Sequence, residues 1–121
     1  MGSTLIYKIV DADAWSEAER AGRFDGAPVD LSDGYIHFST APQAAETAAK
    51  HFAGRTNLLL VAIEAGALGE ALRWEPSRGG ALFPHLYAPL PLTAVRWTAP
   101  LPLGPDGAHV FPSDFSAGDA P

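Results

Sequence analysis

The chain has 121 residues, a formal net charge of -6 and no cysteine. That length fits one domain with a modest core, and 47% hydrophobic against 18% charged residues excludes a disordered chain. The acidic balance argues against a DNA- or RNA-binding role, because phosphate neutralisation needs a basic patch. Without cysteine there is neither a disulfide framework nor a thiolate metal site. No apolar run approaches the roughly 18–20 residues that span a bilayer. The start, Met1-Gly2-Ser3-Thr4, lacks the basic and apolar regions of a signal peptide. The expectation is a cytoplasmic protein with no membrane or DNA partner.

Leu5 to Val10 is apolar and β-branched, which predicts a strand. Asp11 or Asp13 then caps a helix through about Arg20, with Gly22 just past its end. Residues 22–34 contain Gly22, Gly26, Pro28 and Ser32-Asp33-Gly34, which predicts a loop. Tyr35 to Thr40 predicts a second strand. Thr40 followed by Gln43 is a capping box, with Pro42 in the permissive first turn. An alanine-rich helix follows from Ala41 to about Phe52, closed by Gly54.

The run Leu58 to Ile63 is continuously apolar and predicts a buried central strand. Ala67 to Leu72 suggests a short helical turn, Arg73-Trp74-Glu75 an extended segment, and residues 76–80 a loop. Phe83 to Leu92 is interrupted by prolines, which suits edge or irregular strands and excludes a helix. Thr93 to Ala99 predicts a last strand, and residues after Pro112 form a flexible tail. The order of elements is not a repeating βαβ array. It predicts α+β, with mixed or antiparallel sheets and two main helices. Domain limits are set at 1–112, with a tail over 113–121.

Alternation along a strand places Tyr35, His37 and Ser39 on one face, and Ile36, Phe38 and Thr40 on the other. An imidazole and a hydroxyl two residues apart can hold one small ligand. A histidine bonded to a backbone carbonyl is the plainer account. His85 and Tyr87 repeat the spacing in Phe83-Pro84-His85-Leu86-Tyr87, where prolines stiffen the backbone. Glu75 sits between Trp74 and Pro76, where desolvation by the indole can raise a carboxyl pKa. Arg73 and Arg78 flank the turn before Gly79-Gly80, as an anion site or as two solvated side chains. His51 near a helix C-terminus is expected to cap it, and His109 carries no signal. A zinc site of His37, His85 and a carboxylate lacks HxH or HExxH spacing, so no metal is expected. A Ser39 nucleophile lacks the Gly-x-Ser-x-Gly elbow, and Ser-Thr before a helix is explained by capping.

Several strings taken together are more specific. They are Ile6-Tyr7-Lys8-Ile9, Asp33-Gly34-Tyr35-Ile36-His37-Phe38-Ser39-Thr40, Gln43 and Phe83-Pro84-His85-Leu86-Tyr87-Ala88-Pro89-Leu90. Over residues 4–100 the chain resembles the bacterial domain-of-unknown-function 952 family. That family more distantly resembles the ADP-ribosyltransferase fold and its RNA 2′-phosphotransferase branch. The resemblance implies sheets split around a cleft that binds NAD, ADP-ribose or a related nucleotide around His37. It implies cofactor-binding roles for Tyr7, Lys8, Ser39, Thr40, Arg73 and Tyr87, and catalytic roles for His37, His85 and Glu75. NAD is then a substrate rather than a resident cofactor. Two departures matter: Lys8 stands where the fold places His or Arg, and the position of the expected Glu falls to His85 or Glu75. The alternative is a binding module without turnover, using the same cleft for a small polar ligand or a protein partner. Oligomeric state is not legible.

Overall fold

The computed structural model describes residues 4–77 and 80–112. Its two longest apolar runs lie side by side. β1 (Leu5–Asp11) pairs antiparallel with β4 (Leu58–Glu64), from Leu5 opposite Glu64 to Asp11 opposite Leu58. β8 (Val95–Pro100) covers the other edge of β4, giving the order β1-β4-β8. β4 is therefore central, and Leu60, Val61, Ala62 and Ile63 are completely buried. A strand packed on both faces explains why this run is continuously apolar rather than alternating.

Between these strands, α1 (Ala12–Ala21) starts at Asp11, whose Oδ1 accepts from the backbone N–H groups of Asp13 and Ala14. It stops at Gly22, which takes φ 86°, a left-handed conformation that costs a glycine little. The 22–34 segment is not all loop. β2 (Arg23–Phe24) is followed by α2 (Pro28–Asp33), with Pro28 at its start and Gly34 past its end. Proline at the first helical position and glycine after the last are themselves a helix signature. Both residues are also loop formers, which hides that signature in the sequence.

The second three-stranded sheet has the order β3-β6-β5, from β3 (Ile36–His37), β6 (Ala81–Leu86) and β5 (Leu72–Ser77). β2 pairs with β7 (Leu90–Pro91). Every strand pairing among the described residues is antiparallel. The fold is α+β, with α1 and α3 (Ala41–His51) as its two longer helices.

β3 is shorter than expected. Phe38 N–H still donates to Pro84 O in the second sheet, at 3.0 Å. Ser39 then exchanges backbone hydrogen bonds with Tyr7 of β1, at 2.7 and 2.8 Å. The chain thus crosses from one sheet to the other before entering α3. Thr40 N–H donates to Gln43 Oε1 at the start of α3. The expected strand from Thr93 begins at Val95, because Leu92–Ala94 form a 3-10 turn. The expected loop at 76–80 is shorter, since β5 extends through Ser77. Arg78, Gly79 and the expected tail 113–121 lie outside the described residues.

Two apolar clusters flank β1. Ile6 and Val10 join Trp15, Phe24, Ile36, Phe38, Val61 and Leu86 in the larger one. Tyr7 and Ile9 face the other way, with Ala41, Ala48, Leu60 and Leu101 under α3. Alternation puts Lys8 on the Ile6–Val10 side, inside the larger core.

Candidate functional site

A lysine in that position needs an anion, because an isolated buried ammonium is strongly unfavourable. Asp30, on α2, supplies it. Lys8 Nζ lies 3.0 Å from Asp30 Oδ1 and 2.9 Å from Oδ2, and both side chains are buried. Asp30 also accepts from the Ala27 N–H at 2.7 Å and the His37 N–H at 3.0 Å. Its Oδ1 is 2.6 Å from His37 Nδ1. Burial alone would raise the Asp30 pKa, but the His37 and Ala27 hydrogen bonds and the Lys8 charge outweigh it and hold it at about 2. Lys8 is pushed below its usual value by burial, with Asp30 opposing the shift.

His37 is held on both sides. Its Nε2 lies 3.0 Å from Asp33 Oδ2 while Nδ1 meets Asp30, so each ring nitrogen faces a carboxylate. Across the sheet, His37 sits opposite His85, and His85 sits opposite Arg73. The imidazole rings of His37 and His85 are 5.5 Å apart. Tyr35 fills the space between them. Its ring stacks on His85 at 4.2 Å and lies 4.7 Å from His37 and 5.1 Å from Tyr87.

The His85 arrangement is different. Its Nδ1 lies 2.8 Å from Glu75 Oε1, and the Tyr87 hydroxyl donates to the same oxygen at 2.8 Å. These bonds hold the Glu75 carboxyl below the usual range, the His85 bond first. The bond to Glu75 likewise raises the Tyr87 phenol. Among the described residues the one buried side-chain polar atom without a partner is Trp15 Nε1. His85 itself is buried, with 4% of its surface exposed.

Arg73 lays its guanidinium over the Tyr87 ring, 5.3 Å from the centroid. It is the one described Lys or Arg without a carboxylate within ion-pair distance. An open pocket of about 300 Å³ adjoins the group, with Asp25, Leu31, Tyr35, Ile36, Tyr87 and Pro89 among its lining residues.

The sequence candidates thus divide. His37, Glu75, His85, Arg73 and Tyr87 converge on one group, and Lys8 joins it from below through Asp30. Ser39 does not: its Oγ meets Thr47 Oγ1 of α3 at 2.9 Å, because the chain leaves the second sheet before reaching it. Thr40 serves the start of α3. Tyr7 lies in the smaller core against Trp97, with its phenol pKa raised by burial. Asp30 and Asp33 were missed. The available signal was Lys8 itself, a charge in a six-residue apolar strand that demands a buried carboxylate. Among the described residues no cluster of three or more His, Asp or Glu side chains has metal-holding geometry. No helix among them is long and apolar enough to cross a membrane.

This geometry defines a small α+β domain with a histidine–carboxylate face, and the comparisons place it in a family. A family profile described as "Protein of unknown function (DUF952)" matches residues 9–98, and the chain belongs to that family. It is similar to protein CC0527 from Caulobacter crescentus. The crystal structure of that protein is 55% identical over 88% of this chain and 94% of that one, with a TM-score of 0.85. Its solution NMR structure is 56% identical over 86% and 90%, with a TM-score of 0.78. No curated protein matches the chain.

Proposed function

We propose that the chain binds a nucleotide-like ligand of the NAD or ADP-ribose class on the face formed by His37, His85, Glu75, Arg73 and Tyr87. The observation that carries this reading is Arg73. It is a guanidinium with no carboxylate within ion-pair distance, laid over the ring of Tyr87, which with Tyr35 also lines an open pocket. A guanidinium offers a planar fork of donors to a phosphate. The adjoining pocket is large enough for a flat ring, and its tyrosines offer apolar and π surface. The ionised Glu75 supplies an acceptor for ribose hydroxyls. The distant resemblance to the ADP-ribosyltransferase fold read in the sequence points to the same ligand class, with His85 or Glu75 at the position of its carboxylate.

Calorimetry and thermal-shift measurements with NAD, NADP, ADP-ribose and 2′-phosphorylated RNA test the proposal. A ligand at ~100 times its dissociation constant adds roughly 2.7 kcal/mol to stability. Absence of stabilisation by all four at millimolar concentration rejects it. A second reading is binding without turnover, of a small polar ligand or a protein partner. It is favoured by His37, whose two ring nitrogens both face carboxylates and leave no lone pair for a ligand. Turnover that survives in His37→Ala would be compatible with neither a base at His37 nor a passive face.

A further inference from the structure

β5 is the last strand of its sheet, so one of its edges has no strand beside it. The hydrogen-bond pattern says which groups that edge offers. Along an antiparallel ladder, hydrogen-bonded pairs alternate with pairs that point away from each other. Tyr87 N–H donates to Ala71 O at 2.8 Å, one step beyond the Leu72–Leu86 pair, and Pro84 O accepts from Phe38 N–H on its far side. Arg73–His85 and Glu75–Phe83 are therefore the bonded pairs, and Trp74, opposite Pro84, turns its N–H and C=O outward. Side chains alternate too. Arg73 and Glu75 project on the His85 side. Trp74 and Leu82 project on the other, where they are 42% and 52% exposed. An open edge of this kind is a template for another strand.

We infer that this edge pairs antiparallel with the same edge of a second copy of the chain, about a two-fold axis at Trp74. Charge selects both the partner and the register. Arg73 has no carboxylate within ion-pair distance, and Glu75 takes its two internal bonds on Oε1, which leaves Oε2. The outward groups belong to Leu72, Trp74 and Pro76, so self-pairing can centre on Arg73, Trp74 or Glu75. Centring on Arg73 sets two guanidinium groups opposite each other. Centring on Glu75 does the same with two carboxylates and places Trp74 against Pro76, which has no N–H to give. Centring on Trp74 sets each Arg73 opposite the second copy's Glu75, in the closer non-hydrogen-bonded positions, and lays indole beside indole. The two Trp74 residues then exchange both main-chain bonds. The ladder stays short, because Leu72 N–H is already given to Gly69 O and Pro76 has none. The pairing joins two three-stranded sheets into one and closes on itself, as a two-fold contact does. It does not depend on the nucleotide-binding reading. A guanidinium has five N–H donors, so an ion pair across the axis leaves others for a phosphate.

Sedimentation equilibrium on the full chain is expected to show a mass that rises with concentration toward two chains. A single-chain mass up to ~1 mM overturns the inference. Arg73→Glu or Glu75→Arg turns both ion pairs into like-charge contacts and should weaken the dimer roughly tenfold or more. Mixing the two variants should restore it as a heterodimer, because every facing pair is again of opposite sign. With both variants folded by circular dichroism, a dimer that ignores either reversal, or is not restored by mixing, overturns the pairing. Trp74→Cys leaves the charges alone and gives a second test. The chain has no cysteine, and position 74 faces itself across the axis at ~5.5 Å between Cα atoms, within disulfide reach. Under mild oxidation this variant should cross-link roughly tenfold or more faster than Ser16→Cys on the exposed side of α1. Equal rates overturn the inference.

Discussion

The molecule contains the same chemical pairing twice, a carboxylate on a histidine Nδ1, in two different settings. Asp30–His37 lies between α2 and β3 with a carboxylate that is 1% exposed and takes bonds from Lys8 and two backbone N–H groups. Glu75–His85 lies across β5 and β6 with a carboxylate that is 33% exposed and also accepts from the Tyr87 hydroxyl. The lesson is that residue type and spacing do not assign a role to such a pair. What assigns it is how many of its donors and acceptors the protein itself consumes. Asp30 uses its acceptor capacity on three separate elements, which makes it a fastening. Glu75 is one-third exposed and takes both the His85 and the Tyr87 bond on Oε1, so acceptor capacity remains on its other oxygen.

That contrast can be broken most directly at Asp30. Asp30→Asn leaves the Lys8 ammonium buried without its anion, and the expected loss is about 3–5 kcal/mol in urea unfolding. Lys8→Met should lose less, because Asp30 keeps His37 and two backbone donors. Acid is the next largest probe. The Asp30 pKa falls from 3.8 to about 2 on folding. A depressed carboxyl contributes stability above its unfolded pKa and loses it as pH falls through the folded value. Between about pH 4 and pH 2 the wild type should therefore lose roughly 2 kcal/mol from this group, at 1.36 kcal/mol per unit. The slope should flatten in Asp30→Asn, as followed by unfolding midpoints against pH.

Glu75→Gln should destabilise the fold less than Asp30→Asn, since it strands no buried charge. Equal losses in the two variants would erase the distinction between fastening and site. The smallest expected effect on stability is that of Arg73→Ala, within about 0.5 kcal/mol for an exposed side chain. Its effect on ADP-ribose affinity should be roughly tenfold or more, the worth of one charge-assisted bond. An unchanged affinity would remove Arg73 from the face.

Much of the frame was legible because periodicity reports burial directly. The apolar runs at Leu5–Val10 and Leu58–Ile63, short enough for strands, and the alanine-rich helix after Thr40 each form the element expected. The short elements were not legible. β3 ends after His37 because Ser39 is captured by Tyr7, a partner thirty-two positions away that no local pattern names. The same capture turns Ser39 toward Thr47 and away from the histidines. The site divides in the same way. His37, His85 and Tyr87 were nominated by polar residues recurring at strand spacing, which holds where the strands are regular, whereas Glu75 was nominated by its neighbour Trp74 and Arg73 by the glycine-rich turn. Asp30 was lost inside a segment dominated by glycine and proline, and its importance depends on Lys8, twenty-two residues away.

Asp30 also has a consequence for the order of assembly. Its side chain joins β1, the start of α2 and β3, so its full set of bonds exists only when all three have docked. The expectation is that this set of bonds is completed after the transition state for folding, which a φ-value near zero at Asp30 would check. Weakening it should therefore leave the refolding rate nearly unchanged and accelerate unfolding. Asp30 would then act as a latch on the finished protein, setting how long a folded molecule stays closed.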